Sequence, residues 1–173
     1  MKFAVAGLLL CSLAFVACKQ NKKDMLLGSW RGVKLENPGM DSFFRQSQNY
    51  IDTLGKNGNP VTNMELYGST NVDSLRKGLQ IEFDSSKKIQ MKAVLNTIFN
   101  FRKDSIVAIS FNGLPDTSKW YIDVAGALQM EEMTGQGKNT KTQMDIVELT
   151  SSELKLRFQE DSMYSTVTFK REK

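Results

Sequence analysis

Glu131 and Glu132, side by side and flanked by Met130 and Met133, are the residues whose types and spacing first suggest chemistry. Paired carboxylates can divide acid and base work, and spaced thioethers can hold Cu(I). The local geometry defeats the first use, because adjacent residues of a strand point to opposite faces and the two carboxylates cannot converge on one substrate. Asp104, Asp116, Asp123, Asp145 and Asp161 fall at turns or strand ends without the spacing of a calcium loop. The chain has no histidine, which removes Ser-His-Asp and Cys-His hydrolysis, His-ligated zinc and His-based pH sensing. With no metal-ligand set, cofactor motif or catalytic constellation left, the sequence reads as that of a protein that is not an enzyme and carries no cofactor.

The other reactive residue is a cysteine. Lys2 is followed by an almost unbroken apolar run from Phe3 to Phe15, then by Val16-Ala17-Cys18 and the polar string Lys19-Gln20-Asn21-Lys22-Lys23-Asp24. The run is too short to span a bilayer and has the layout of a cleaved export signal, residues 1–17. Val16-Ala17-Cys18 resembles a bacterial lipobox, with Phe15 where Leu is commoner. That resemblance implies cleavage before Cys18, a diacylglycerol on its sulfur and usually a third chain on its amine, an anchor of two or more chains that holds stably. Cys11 leaves with the signal, so the mature chain has neither a disulfide nor a spare thiol. Its charge is 22 basic minus 19 acidic residues, or +3, once Lys2 is gone. Lys19, Lys22 and Lys23 crowd the anchor, where each adds about 1 kcal/mol of attraction to anionic headgroups. The other basic residues are scattered without an aromatic-interleaved stripe, so no nucleic-acid partner is expected.

The elements behind these residues are mostly strands. Residues 18–25 read as a lipidated, polar tether, and a first strand around Trp30 stops at Asn37-Pro38-Gly39. Asp41 or Ser42 can cap a helix that carries Phe43, Phe44, Ser47, Tyr50, Ile51 and Leu54 on one face and closes at Gly55. Lys56 to Thr70 reads as a loop. Residues 71–95 admit two readings: a helix capped by Asn71 with a stripe through Val72, Leu75, Leu79 and Phe83, or a hairpin of Leu79-Ile81-Phe83 against Ile89-Met91-Ala93. From Asn96 onward short strands follow at even spacing, interrupted at Asn112-Gly113-Leu114-Pro115-Asp116. With the Trp30 strand the count is eight, or ten if 71–95 is a hairpin. A meander of that kind removes its edges by closing into an antiparallel up-and-down barrel.

Gly28-Ser29-Trp30 on the first strand is a G-x-W motif and resembles the fingerprint of lipocalin-like and fatty-acid-binding-protein-like barrels. In that family the Trp closes one end and an Arg near the end of the last strand lies across it, a place matched by Arg171, with Arg157 as the alternative. Asn100 to Ile106, Lys119 to Ile122 and Leu149 to Leu156 are similar to the lipocalin-like domains of small Bacteroidota lipoproteins. The resemblance implies a barrel domain over 26–173 with an insertion at about 37–95. Fatty-acid-binding proteins place two helices there as a lid, which favours the helical reading of 71–93.

Phe99, Phe101, Trp120, Leu128, Met130, Met144, Leu156 and Phe158 occupy alternating strand positions and are candidates to line a ligand cavity, although core packing explains them equally. Two functions follow: a lipid-anchored envelope module holding a small hydrophobic ligand without chemistry, or a filled barrel that contacts another protein or a glycan through its outside. Lysines after Cys18, where surface-exposed lipoproteins of the resembling bacteria carry acidic residues, point to the outer membrane with the protein facing the periplasm.

Overall fold

The computed structural model describes residues 21–56, 58–111, 113–133, 138–160 and 162–173, with Glu160 described by its backbone alone. The expected signal segment 1–17 and the lipidation residue Cys18 lie outside the described residues. Strands β1 (Gly28–Glu36), β2 (Ile98–Phe101), β3 (Ile106–Phe111), β4 (Leu114–Ile122), β5 (Leu128–Glu132), β6 (Lys141–Leu149), β7 (Glu153–Glu160) and β8 (Met163–Arg171) form a closed, sequentially ordered barrel. Every neighbouring pair is antiparallel, and β8 returns to β1. This is the expected up-and-down barrel, with helices between its first two strands.

Alternation builds the wall. Phe99 and Phe101 lie opposite Ile109 and Val107, Trp120 opposite Met130, Leu128 opposite Met144, Ile146 opposite Leu156, and Leu154 opposite Phe169. A two-residue period therefore carries one continuous apolar surface around the inside. The stretch read as a break at 112–116 is a tight hairpin instead: Gly113 takes φ +82° and β4 begins at Leu114. Pro115 is tolerated because β4 pairs with β5 only from Ser118 to Ile122, so no ladder on that side needs its missing N–H.

The helices depart further from expectation. Each of the four described helices starts at an asparagine whose side chain accepts a backbone N–H: Asn21 before α1 (Lys22–Leu26), Asn37 before α2 (Pro38–Thr53), Asn59 before α3 (Pro60–Tyr67) and Asn71 before α4 (Val72–Leu95). Asn37-Pro38, read as a strand stop, is thus a cap followed by Pro at the first helical position, and Asn59-Pro60 starts a helix within a presumed loop. The segment read as a tether ends in α1. Of the two readings of 71–95 the helix forms, Val72–Leu95 capped by Asn71, and the hairpin does not; Ile81, Ile89 and Met91 of that hairpin are exposed.

α2 packs on α4 through an edge-to-face contact of Phe44 with Phe83, 5.5 Å between ring centres. Ile51 and Leu54 are buried, while Phe43 and Tyr50 of the expected apolar face are exposed. The C-terminal end of α4 is fastened to β1: Gly32 donates its N–H to the Thr97 carbonyl at 2.9 Å, and Arg31 reaches the Leu95 carbonyl at 3.3 Å. A Cβ at Gly32 would overlap the Val94 carbonyl oxygen, so this close crossing depends on glycine. Gly32→Ala is expected to cost about 1–3 kcal/mol, as overpacking at a rigid contact does. Urea unfolding of the variant beside the parent measures it, and an unchanged midpoint would refute the close crossing.

Candidate ligand cavity and closed base

One end of the barrel is plugged. α1 lies across it and buries Leu26 completely, and the Trp30 indole, also fully buried, donates its N–H to the Leu26 carbonyl at 2.7 Å. The Arg171 guanidinium carbon stands 4.2 Å from the centre of the Trp30 ring. From there its nitrogens donate to the carbonyls of Leu27 at 2.6 Å, Met25 at 2.5 Å and Ser151 at 2.8 Å. A planar fork that stacks on an indole while bonding several carbonyls is a task lysine cannot perform. Gly28 adopts φ +116°, and a Cβ there would strike the same guanidinium. Gly28, Trp30 and Arg171, singled out from the sequence, therefore meet at one place. Arg157 does not belong to it: it pairs with Asp145 at 2.9 Å and lies over Tyr164.

Above this plug the interior is solid. Phe101 meets Trp120 edge-on at 5.1 Å, and Val107, Leu128, Met130 and Leu154 are buried around them. Lys23 of α1 lies over the Trp120 ring at 5.7 Å and donates to the Ser105 hydroxyl at 3.3 Å. The Trp120 indole N–H has no acceptor among the described residues. Four of the eight candidate lining residues, Phe101, Trp120, Leu128 and Met130, are thus packed core and not cavity wall. They share the inward face with the others but sit nearer the plug, where the opposing side chains meet across the axis.

The other four, Phe99, Met144, Leu156 and Phe158, line a cavity of about 310 Å³ at the opposite end. Phe169, Val167, Leu35 and Phe111 complete the strand side of its wall. α4 forms the roof with Gln90, Ala93 and Val94, one face of its last turns. Val167 and Phe169 follow the inward alternation of β8 and could have been chosen from the sequence. The roof residues could not, because nothing local tells which face of α4 meets the barrel. The described lining contains no ionisable side chain; Thr97 and Gln90 supply its polar groups, and the Thr97 hydroxyl is already turned to the Ala93 carbonyl at 2.9 Å. A shallower trough between α2 and α4 shares Leu35, Gln90 and Val94 with the cavity and leads outward past Phe44 and Lys87.

Glu131 and Glu132 do not converge. Glu131 is outside, 4.0 Å from Lys141, whereas Glu132 lies opposite Ser118 on the other face. No group of three or more His, Cys, Asp or Glu side chains that could hold a metal ion occurs among the described residues. The shifted groups are structural: Ser29 and then Arg31 hold the Glu172 carboxyl below its ordinary value of 4.5, and backbone N–H groups, that of Ala127 foremost, lower Asp123. No helix among the described residues is long and apolar enough to cross a membrane. Compared with known protein families and with curated proteins, the chain matches no family model and no curated relative.

Arg171→Ala is expected to lower stability by about 2–4 kcal/mol, since it strips a stacked cation from several carbonyls, and Arg171→Lys is expected to recover only part of that. Thermal melts of the three proteins decide it; full recovery by lysine would mean that the fork geometry is unimportant. Glu172 adds an acid limb. Its lowered folded value means that its stabilisation is present above 4.5 and is lost as pH falls through the lower folded value. Glu172→Gln is therefore expected to flatten the decline in melting temperature over that acid range, and an unchanged slope would contradict the assignment.

Proposed function

We propose that this chain is a lipid-anchored, lipocalin-like protein of the bacterial cell envelope that holds a small hydrophobic molecule and performs no chemistry on it. The observation that carries the reading is the cavity: about 310 Å³ of partly open, apolar space at one end of a barrel whose other end is filled. Small-molecule sites begin at about that size, at roughly 300 Å³. Core-like packing throughout would have left no such volume, and an unfilled apolar void of this size costs stability that a bound ligand restores. The lipobox resemblance of Val16-Ala17-Cys18 supports the anchor, and the lysines after Cys18 support an outer-membrane position facing the periplasm.

The lining also limits the ligand. Without an ionisable group in the described wall, a buried carboxylate or amine would be left unpaired at a cost of several kcal/mol, so the part that enters must be uncharged. Hydrocarbon, ring or terpenoid surface fits; Met144 and the phenyl rings adapt to irregular shapes of that kind. Native mass spectrometry of the mature chain purified gently from cells is expected to show a discrete added mass that denaturation removes. With the neutral probe N-phenyl-1-naphthylamine, the parent is expected to bind with an affinity that is flat from neutral to mildly acidic pH. Ala93→Phe, which fills the roof, is expected to weaken binding at least tenfold, about 1.4 kcal/mol. A bare chain that also ignores the probe would favour the second reading, a barrel that acts through its outer surface.

A further inference from the structure

The described chain begins at the plugged end. Asn21 caps α1, and α1 is pinned beneath the barrel at several points: Lys22 reaches the Gly126 carbonyl at 3.5 Å, Lys23 reaches the Ser105 hydroxyl, and Arg171 holds the Met25 and Leu27 carbonyls. Ser105 and Gly126 belong to the β2–β3 and β4–β5 turns, both at that end. The cavity lies toward the other end, where Phe111 beside the β3–β4 turn is part of its lining. Between Cys18 and Asn21 lie three peptide steps, about 10 Å of chain at full extension. The nine-residue strands β1 and β8, at ~3.3 Å per residue and tilted by about 40°, put the mouth roughly 22 Å further along the axis.

From this geometry we infer that the plugged base is the surface that lies on the anchoring bilayer, and that the cavity mouth faces away from it. The inference rests on the proposed lipid anchor at Cys18, and the occupant of the base is an anionic lipid headgroup layer. The charge fits. Lys22 and Lys103 are exposed there. Of the acids there, Asp104 pairs with Arg102 at 2.9 Å, Asp123 accepts from backbone N–H groups of its own turn and Asp24 of α1 is exposed, so against Lys22, Lys23, Arg102 and Lys103 they leave a small positive excess. Val124, fully exposed at the tip of the β4–β5 turn, can enter the interface beside them. The consequence is functional: the ligand exchanges with the aqueous compartment or a soluble carrier, not by direct extraction from the anchoring bilayer.

The experiment uses full-length protein, lipidated in cells and reconstituted into phosphatidylethanolamine–phosphatidylglycerol vesicles. Acylation of Cys18 leaves an introduced thiol unique, so a fluorophore is placed at Val124→Cys or at Leu114→Cys, two exposed positions at opposite ends. Quenching by headgroup spin-labelled lipid is expected to be severalfold stronger at Val124→Cys. Equal or stronger quenching at Leu114→Cys, in protein that floats with the vesicles, would overturn the orientation and leave the anchor standing. Protein that neither floats nor shows acyl mass overturns the anchor and the orientation together.

Discussion

The stack of the Arg171 guanidinium on the Trp30 indole is the contact on which the barrel's internal arrangement depends. It joins the first strand to the last at the seam where the sheet closes, since Trp30 pairs in register with Arg171 across β1 and β8. The same guanidinium bonds the carbonyls of Met25 in α1 and of Leu27 just after it, so it also fixes the plug. The backbone ladder between β1 and β8 closes the barrel, and the stack adds a side-chain clamp at its plugged end. Once one end is sealed, apolar side chains fill upward from Leu26 and Trp30 through Trp120 and Phe101. At Phe99 and Phe169 the filling stops, and the remaining volume becomes the cavity.

The helical insertion has a complementary role. α4 carries few buried side chains of its own, Val72 and Phe83, and would be a marginal helix without its partners. Its C-terminal end is fixed to β1 at Gly32 and Arg31, and its middle rests on α2 through Phe44 and a Gln48–Gln80 hydrogen bond of 2.9 Å. The roof over the cavity is therefore tied at one end and lightly supported along its length. That arrangement keeps water from apolar surface while leaving a route past Leu35 and Val94 toward the α2–α4 trough.

Much of this was legible before the structure. Strand alternation and even spacing point to the barrel, whereas the meeting of Gly28, Trp30 and Arg171 was an implication of the resemblance of Gly28-Ser29-Trp30 to a family motif, not of pattern alone. Alternation reports which face a residue occupies but not its height along the axis. For that reason Phe101, Trp120, Leu128 and Met130 were grouped with Phe99, Met144, Leu156 and Phe158, although the first four are core. The 71–95 segment was locally ambiguous because alternating and helical periods both run through Leu79 and Phe83; Asn71 as a cap and packing against α2 decide it. The Asn-Pro pairs at 37–38 and 59–60 carry both meanings, stop and start, and only the side-chain bonds to Met40 and Thr62 tell them apart. The roof face of α4 was invisible in the sequence, since it is defined by what it crosses.

One interior is divided into a filled half and a receptive half, and two methionines report on the two halves. Met130 lies in the packed region and Met144 in the cavity wall. Carbon-13 methyl labelling of methionine, with assignment by Met130→Leu and Met144→Leu, allows both to be followed during titration with N-phenyl-1-naphthylamine. A saturable shift is expected at Met144, with Met130 nearly still. Movement of neither methyl, with shifts confined to methionines on the outer surface, would contradict an internal binding site.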